Sequence, residues 1–344
     1  VIKQETSEII EKYGDERRTQ IVQDEVEEID VEDLIQKEDM VVLISNRGFI
    51  KRIPLTSYRS QGRGGKGSSS TVLKDEDFIK HIFIASTHDY ILFLTSAGKA
   101  YWLKVHEIPE ASKASRGQPV KTLLSISANE DISAVIALES FSEESFLFLS
   151  TSRGIVKKIT TSAFANAKRR GIIAINLKPG NRLISAILTE GKDELILTTR
   201  HGFALRLHED TIRTMGRASR GVQGIRLSEK DELVSVLAIR SDEQMLLVTE
   251  YGYGKRVNYE NFAPHGRATR GQRSYKISER TGEVVDALPI KQIDDVICIT
   301  SQGNTIKLRL SEIPVLGKTA QGVRIVNIQK PDYLVGIARV ERED

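Results

Sequence analysis

"LILTTRHGFALRL" (residues 195–207) reads as a β-hairpin. Leu195, Ile196 and Leu197 form an apolar run, and Arg200-His201-Gly202 make a short polar turn. Phe203, Leu205 and Leu207 then mark the returning strand. Glycine at 202 supplies the positive φ of a tight turn. The pattern recurs in "VVLISNRGFIKRI" (41–53), "ILFLTSAGKAYWL" (91–103), "FLFLSTSRGIVKKI" (146–159), "LLVTEYGYGKRV" (246–257) and "VICITSQGNTIKL" (296–308). The turn glycines are Gly48, Gly98, Gly154, Gly202, Gly252 and Gly303, spaced 50, 56, 48, 50 and 51 residues apart.

Each unit holds two further apolar stretches. A third strand is expected after a second glycine, in "GIIAINL" (171–177), "GVQGIRL" (221–227) and "GVRIVNI" (322–328). A fourth is expected in "DISAVIAL" (131–138), "NRLISAIL" (181–188), "ELVSVLAI" (232–239) and "DYLVGIAR" (332–339). Four strands per unit, six times over, predict an all-β protein of six blades around an axis, an arrangement that protects strand edges. Residues 1–38 differ. "SEIIEKYGDERRTQI" is charged and helix-like, and an acidic stretch follows. Residues 1–38 therefore read as the tail of a helix from a preceding domain plus an acidic linker, and 39–344 as the six-bladed domain.

With 40% hydrophobic and 28% charged residues, the 344-residue chain is expected to be globular and soluble. No apolar run approaches the roughly 20 residues of a membrane span, and no signal peptide opens it. Cys298, the only cysteine, lies in an apolar run and reads as a small buried hydrophobe, which suits a reducing cytoplasm. The net charge of +3 is unevenly spread. Residues 1–39 carry 5 basic and 14 acidic side chains, so 5 − 14 = −9, and the remainder carries 3 + 9 = +12. A basic body points to a polyanion.

The cations fall in register. The second glycine is preceded by "KASRG" (113–117), "KRRG" (168–171), "RASRG" (217–221), "RATRG" (267–271) and "KTAQG" (318–322). Lys113, Arg217, Arg267 and Lys318 stand four residues before it, and Arg116, Arg170, Arg220 and Arg270 immediately before it, with Lys168 added in the second copy. Another column lies four residues after each hairpin glycine: Arg52, Trp102, Lys158, Arg206, Arg256 and Lys307. A solvated charged face explains any one of these, but not repetition at fixed offsets. Both columns are expected on the surface as a belt for a phosphate backbone. Only 6% of residues are aromatic, so duplex DNA read by phosphates and deformability fits better than stacked single strands.

The heptad "QGRGGKG" comprises Gln61, Gly62, Arg63, Gly64, Gly65, Lys66 and Gly67. Gly62, Gly64 and Gly67 match a dinucleotide fingerprint, but the flanks lack its strand and helix. A phosphate-binding Walker loop needs the lysine after the last glycine, and Lys66 precedes it. A flexible surface loop is the plain alternative. Aligned with "RGVQG" (220–224), Arg63-Gly64 becomes the first blade's version of the repeated Arg-Gly corner.

This heptad resembles the gyrase A box, the signature of the carboxy-terminal DNA-wrapping domain of DNA gyrase A, part of a type IIA topoisomerase. Gly62 stands where that family usually has arginine. The head "EKYGDERRTQI" resembles the end of the coiled-coil region of the breakage subunits. The resemblance implies a six-bladed β-pinwheel in which neighbouring blades exchange a strand. It implies that duplex DNA wraps the rim with positive sense and is presented for ATP-dependent negative supercoiling. The implied partners are the gyrase B protein and the amino-terminal part of the gyrase A protein in a heterotetramer, in the bacterial cytoplasm and on the nucleoid, with no membrane. No cofactor is expected here, because ATP and Mg belong to other parts of that assembly. No catalytic residue or metal site is expected either. The six histidines are scattered, and no tyrosine takes the family's catalytic role. Two alternatives remain, the equivalent domain of topoisomerase IV and a protein-interaction propeller; the near-intact heptad and the basic columns distinguish them.

Overall fold

The computed structural model describes residues 1–15, 31–55, 77, 79–112, 115–302 and 304–340. They divide into two compact units, Val1–Gln36 and Lys37–Asp344. The first holds an α-helix, Ile2–Tyr13, with no buried residue, and a 3-10 turn, Val31–Leu34.

The second unit is a succession of six antiparallel sheets. In the fourth, the order from one edge to the other is Leu233–Ala238, Glu194–Thr199, Phe203–His208 and Gln272–Arg273. The middle pair is the predicted hairpin, with Leu197 opposite Leu205 and Thr198 opposite Ala204. The first of these strands is the predicted fourth strand, and its counterparts in adjacent blades pack on one another: Ile132–Leu138 on Leu183–Thr189, then Leu233–Ala238, Val284–Ile290 and Leu334–Val340. The outer strand Gln272–Arg273 belongs to the following sequence repeat. Each of the first five blades is completed this way, by Gln118–Pro119, Ile172–Ile173, Val222–Gln223, Gln272–Arg273 and Val323–Arg324. The sixth sheet has three strands among the described residues.

The predicted third strand is therefore only two residues long, and it serves the preceding blade. Beyond it the chain turns between blades. Ala174 and Ile175 donate both amides to the Gly98 carbonyl, Gly224 and Ile225 to Gly154, Ser274 and Tyr275 to Gly202, and Ile325 and Val326 to Gly252. Those bonds replace a continued ladder, so backbone polar groups remain paired where the strand ends.

The hairpin strands of the second to fifth blades are largely buried on both faces, because each of those blades stands between two others. Leu92 and Leu94 pack with Leu147 and Leu149 of the third blade, while Ile91 and Phe93 pack with Val42 and Ile44 of the first. Successive residues thus feed two separate cores. This is why these runs are continuously apolar rather than alternating. Cys298 lies in the core between the fifth and sixth blades, where burial pushes its thiol up to about 12.

Candidate nucleic-acid interface

The outer edges of the first, third, fourth and fifth blades share one construction. In the third, Lys158 bridges Thr214 in parallel, the chain then leaves the edge as a loop, and it returns with Val222 opposite Val156. That loop carries Arg217 and Arg220. Matching bridges join Arg52 to Glu110, Arg206 to Pro264 and Arg256 to Val315. The Arg-Gly corner therefore sits at an equivalent point on the rim of successive blades.

Arg116, Arg170, Arg217, Arg220, Arg267 and Arg270 are exposed, as is Lys168. Some are held in place by rings beneath them. The Arg116 guanidinium lies 3.8 Å from the Phe49 ring centre, and that of Arg270 lies 4.3 Å from Phe203. Such stacking limits the freedom of the cation while leaving its donors toward solvent. Lys318 is half-buried and donates to Gln272 Oε1 at 2.6 Å. Lys113 and the heptad Gln61–Gly67 lie outside the described residues.

The column four residues after the hairpin glycine is not the surface track expected of it. Arg256 is 8% exposed; its Nε donates to the Ile313 carbonyl at 2.6 Å, and Nη1 donates to Gln244. Arg206 pairs with Glu194 and donates to the carbonyls of Tyr259 and Phe262. Lys158 is buried, with the carbonyls of Gly191 and Glu209 at 3.4 Å. Arg52 is half-buried beside Glu110 at 3.6 Å. Trp102, which broke the cationic pattern, does the same work, donating Nε1 to the carbonyls of Phe164 and Ala165. In the first five blades this column staples the hairpin to the segment that the next repeat lays against it. Lys307 is exposed and bound to buried Asp295 at 2.9 Å.

Replacing Arg256 by alanine should therefore lower stability by about 2–3 kcal/mol, because the Ile313 carbonyl loses a charged donor in a buried seam. The salt dependence of polyanion binding should stay unchanged. Denaturant melts and binding titrations on one preparation check both. A reduced salt slope with normal stability would return Arg256 to the surface track.

Other rim cations were not singled out from sequence. Arg273 is exposed and lies 4.4 Å from the Phe203 ring centre. Arg280 and Arg324 both donate to the Tyr253 hydroxyl, at 2.7 and 3.1 Å, and lower its pKa. Arg273 and Arg324 each follow the second glycine by two residues, a register that the repeat alignment would have exposed. Among the described residues, no group of three or more His, Cys, Asp or Glu side chains could hold a metal ion.

A family profile for the DNA gyrase C-terminal domain, beta-propeller, matches residues 39–86, 89–139, 145–190, 193–240, 243–291 and 294–341, one match per blade. The chain belongs to this family. The DNA gyrase A protein of Treponema pallidum (strain Nichols) is 57% identical over 340 residues, covering 99% of this chain and 42% of that protein. The DNA gyrase A protein of Salmonella typhimurium (strain LT2) is 42% identical over 340 residues, covering 99% and 39%. The chain thus spans about two fifths of the curated relatives it matches. A solved DNA gyrase A C-terminal domain superposes with TM-score 0.70 at 28% identity, over 88% of this chain and 100% of that one. The C-terminal domain of a DNA topoisomerase IV superposes with TM-score 0.78 at 24% identity, over 89% and 94%, a likeness of fold alone. The six matched ranges coincide with the six sheets of the structure.

Proposed function

We propose that this chain is the DNA-wrapping part of a DNA gyrase A protein. Duplex DNA bends around the rim, and the exposed arginines of successive Arg-Gly corners take its phosphates. One observation carries the reading: the same exposed corner recurs at an equivalent rim position, as Arg116, Arg170, Arg220 and Arg270. Neutralising phosphates at regular intervals offsets a bending cost of about 1–6 kcal/mol per 20–30 base pairs. The bent segment is then presented for ATP-dependent negative supercoiling. In this reading the chain contributes no catalytic residue and holds no cofactor. Strand cleavage and ATP turnover belong to the amino-terminal part of gyrase A and to gyrase B, in a bacterial cytoplasmic complex. No helix of the described residues is long and apolar enough to cross a membrane.

The test is plasmid topology. A nicked circle sealed with this chain bound should show a linking shift toward positive writhe. Arg63→Ala/Lys66→Ala in the heptad should shrink that shift, with little change in stability. No shift with the parent chain would overturn the wrapping function.

A further inference from the structure

Lys51, Lys157 and Lys255 are among the most deeply buried side chains of the protein, at 1%, 0% and 0% exposure. All three stand three residues after a hairpin glycine, where the other repeats have Tyr101, Leu205 and Ile306. The edge construction explains their environment. Residues 156 and 158 are paired to the donated segment on either side of its loop, so residue 157 lies directly beneath that loop. Lys157 Nζ donates to the carbonyls of Arg217 and Ala174 at 2.6 Å, and it reaches Ser219 at 3.4 Å. Lys255 Nζ donates to the carbonyls of Gly317, Lys318 and Ala320, each at 2.9 Å. Three N–H donors meet three carbonyls, which is the full capacity of an ammonium group. Lys51 repeats the contact with Ser112 and Ser115.

We propose that these lysines are positioning residues for DNA: each buried ammonium gathers the carbonyls of the basic loop above it and fixes the conformation in which that loop meets phosphate. The proposal rests on the DNA-binding function above. A second observation supports it. The loops above Tyr101 and Leu205 each contain a left-handed non-glycine residue, Lys168 at φ 42° and Ala268 at φ 62°. The loops above Lys157 and Lys255 contain none before their glycine. The ammonium thus goes with a different loop backbone.

Arg217 stands beside Lys157, and Tyr275 and Lys318 stand beside Lys255, the Lys318 ammonium being turned to Gln272. No carboxylate pairs with Lys157 or Lys255 among the described residues. Burial pushes both ammonium groups down to about 8. Below that pH the anchor is complete; above it, a neutral amine has two donors for three carbonyls. A folded pKa below the unfolded value makes the unfolded chain bind more protons between about 8 and about 10.5, so this linkage raises global stability with pH there. Loosening confined to the anchored loops is therefore not a by-product of unfolding.

The test is amide exchange of the whole chain, corrected for intrinsic base catalysis, from about pH 7 to about pH 9. Protection of 217–221 and 317–322 should fall through this range, while 267–271, above Leu205, keeps its protection. Lys157→Met should raise exchange of 217–221 by about tenfold at neutral pH and remove the pH step there. Duplex affinity should fall several-fold with an unchanged salt slope, whereas Arg217→Ala lowers the slope by about 0.9. Equal pH responses in all three loops would overturn the proposal, as would a slope loss in Lys157→Met. If the loops respond as expected but the parent chain fails to bind DNA, the DNA-binding function falls and the anchor stands. If DNA binds and the loops do not respond, only the anchor falls.

Discussion

Replacing Arg170, Arg220 and Arg270 together by alanine is expected to cut duplex affinity by about two to three decades at 0.1 M salt, and to lower the log–log salt slope by about 2.7. Each side chain is exposed on the rim of a different blade, so each can neutralise its own phosphate. One phosphate contact contributes about 0.9 to the slope, hence about 0.9 decade at 0.1 M relative to 1 M salt, and three separated contacts add. Stability should change by no more than about 0.5 kcal/mol per site, apart from the stacking of Arg270 on Phe203, worth about 0.5–1 kcal/mol. Titrations at four salt concentrations give affinity and slope together. An unchanged slope in a folded triple variant would remove the belt from consideration.

Gly252→Ala is expected to destabilise the protein by at least about 3 kcal/mol, of which the left-handed backbone accounts for about 1–2 and enforced overpacking for the rest. Gly252 has φ +76°, and a Cβ there would collide with the Val326 carbonyl oxygen. The neighbour cannot retreat cheaply. Ile325 and Val326 donate to the Gly252 carbonyl at 2.8 and 3.1 Å, and Val326 belongs to the core between the fifth and sixth blades. Gly180→Ala is the internal control. Its φ is +74° with nothing within 4 Å of the added carbon, so only the backbone cost of about 1–2 kcal/mol remains. Denaturant melts of the two variants separate conformational strain from interblade contact. Equal losses would show that the close approach at Gly252 costs nothing.

The hairpins were legible because a turn glycine and two apolar runs are local features, repeated at nearly constant spacing. The length of the third strand was not. "GVQGIRL" reads as one strand, yet only Val222 and Gln223 pair, because Gly224 and Ile225 bind the Gly154 carbonyl instead. A competing acceptor about seventy residues away leaves no trace in the local pattern. Within the candidate interface, the Arg-Gly corners were found as a register, and the structure leaves Arg116, Arg170, Arg220 and Arg270 exposed. Lys157 and Lys255 were not singled out from sequence, although lysines alternating in one column with Tyr101, Leu205 and Ile306 were a signal.

Sequence by itself determined the repeat, the blade count, the all-β class and the positions of two cationic columns. Tertiary structure alone decided which column faces water. Alternation along a strand assigns side chains to two faces, and in most sheets one of those faces is solvent. A blade between two neighbours has no solvent face. Arg206 and Arg256 accordingly point into the seams between blades and bind carbonyls there. The loops that leave the outer edge do reach water, and the Arg-Gly corners they carry leave Arg116, Arg170, Arg220 and Arg270 exposed.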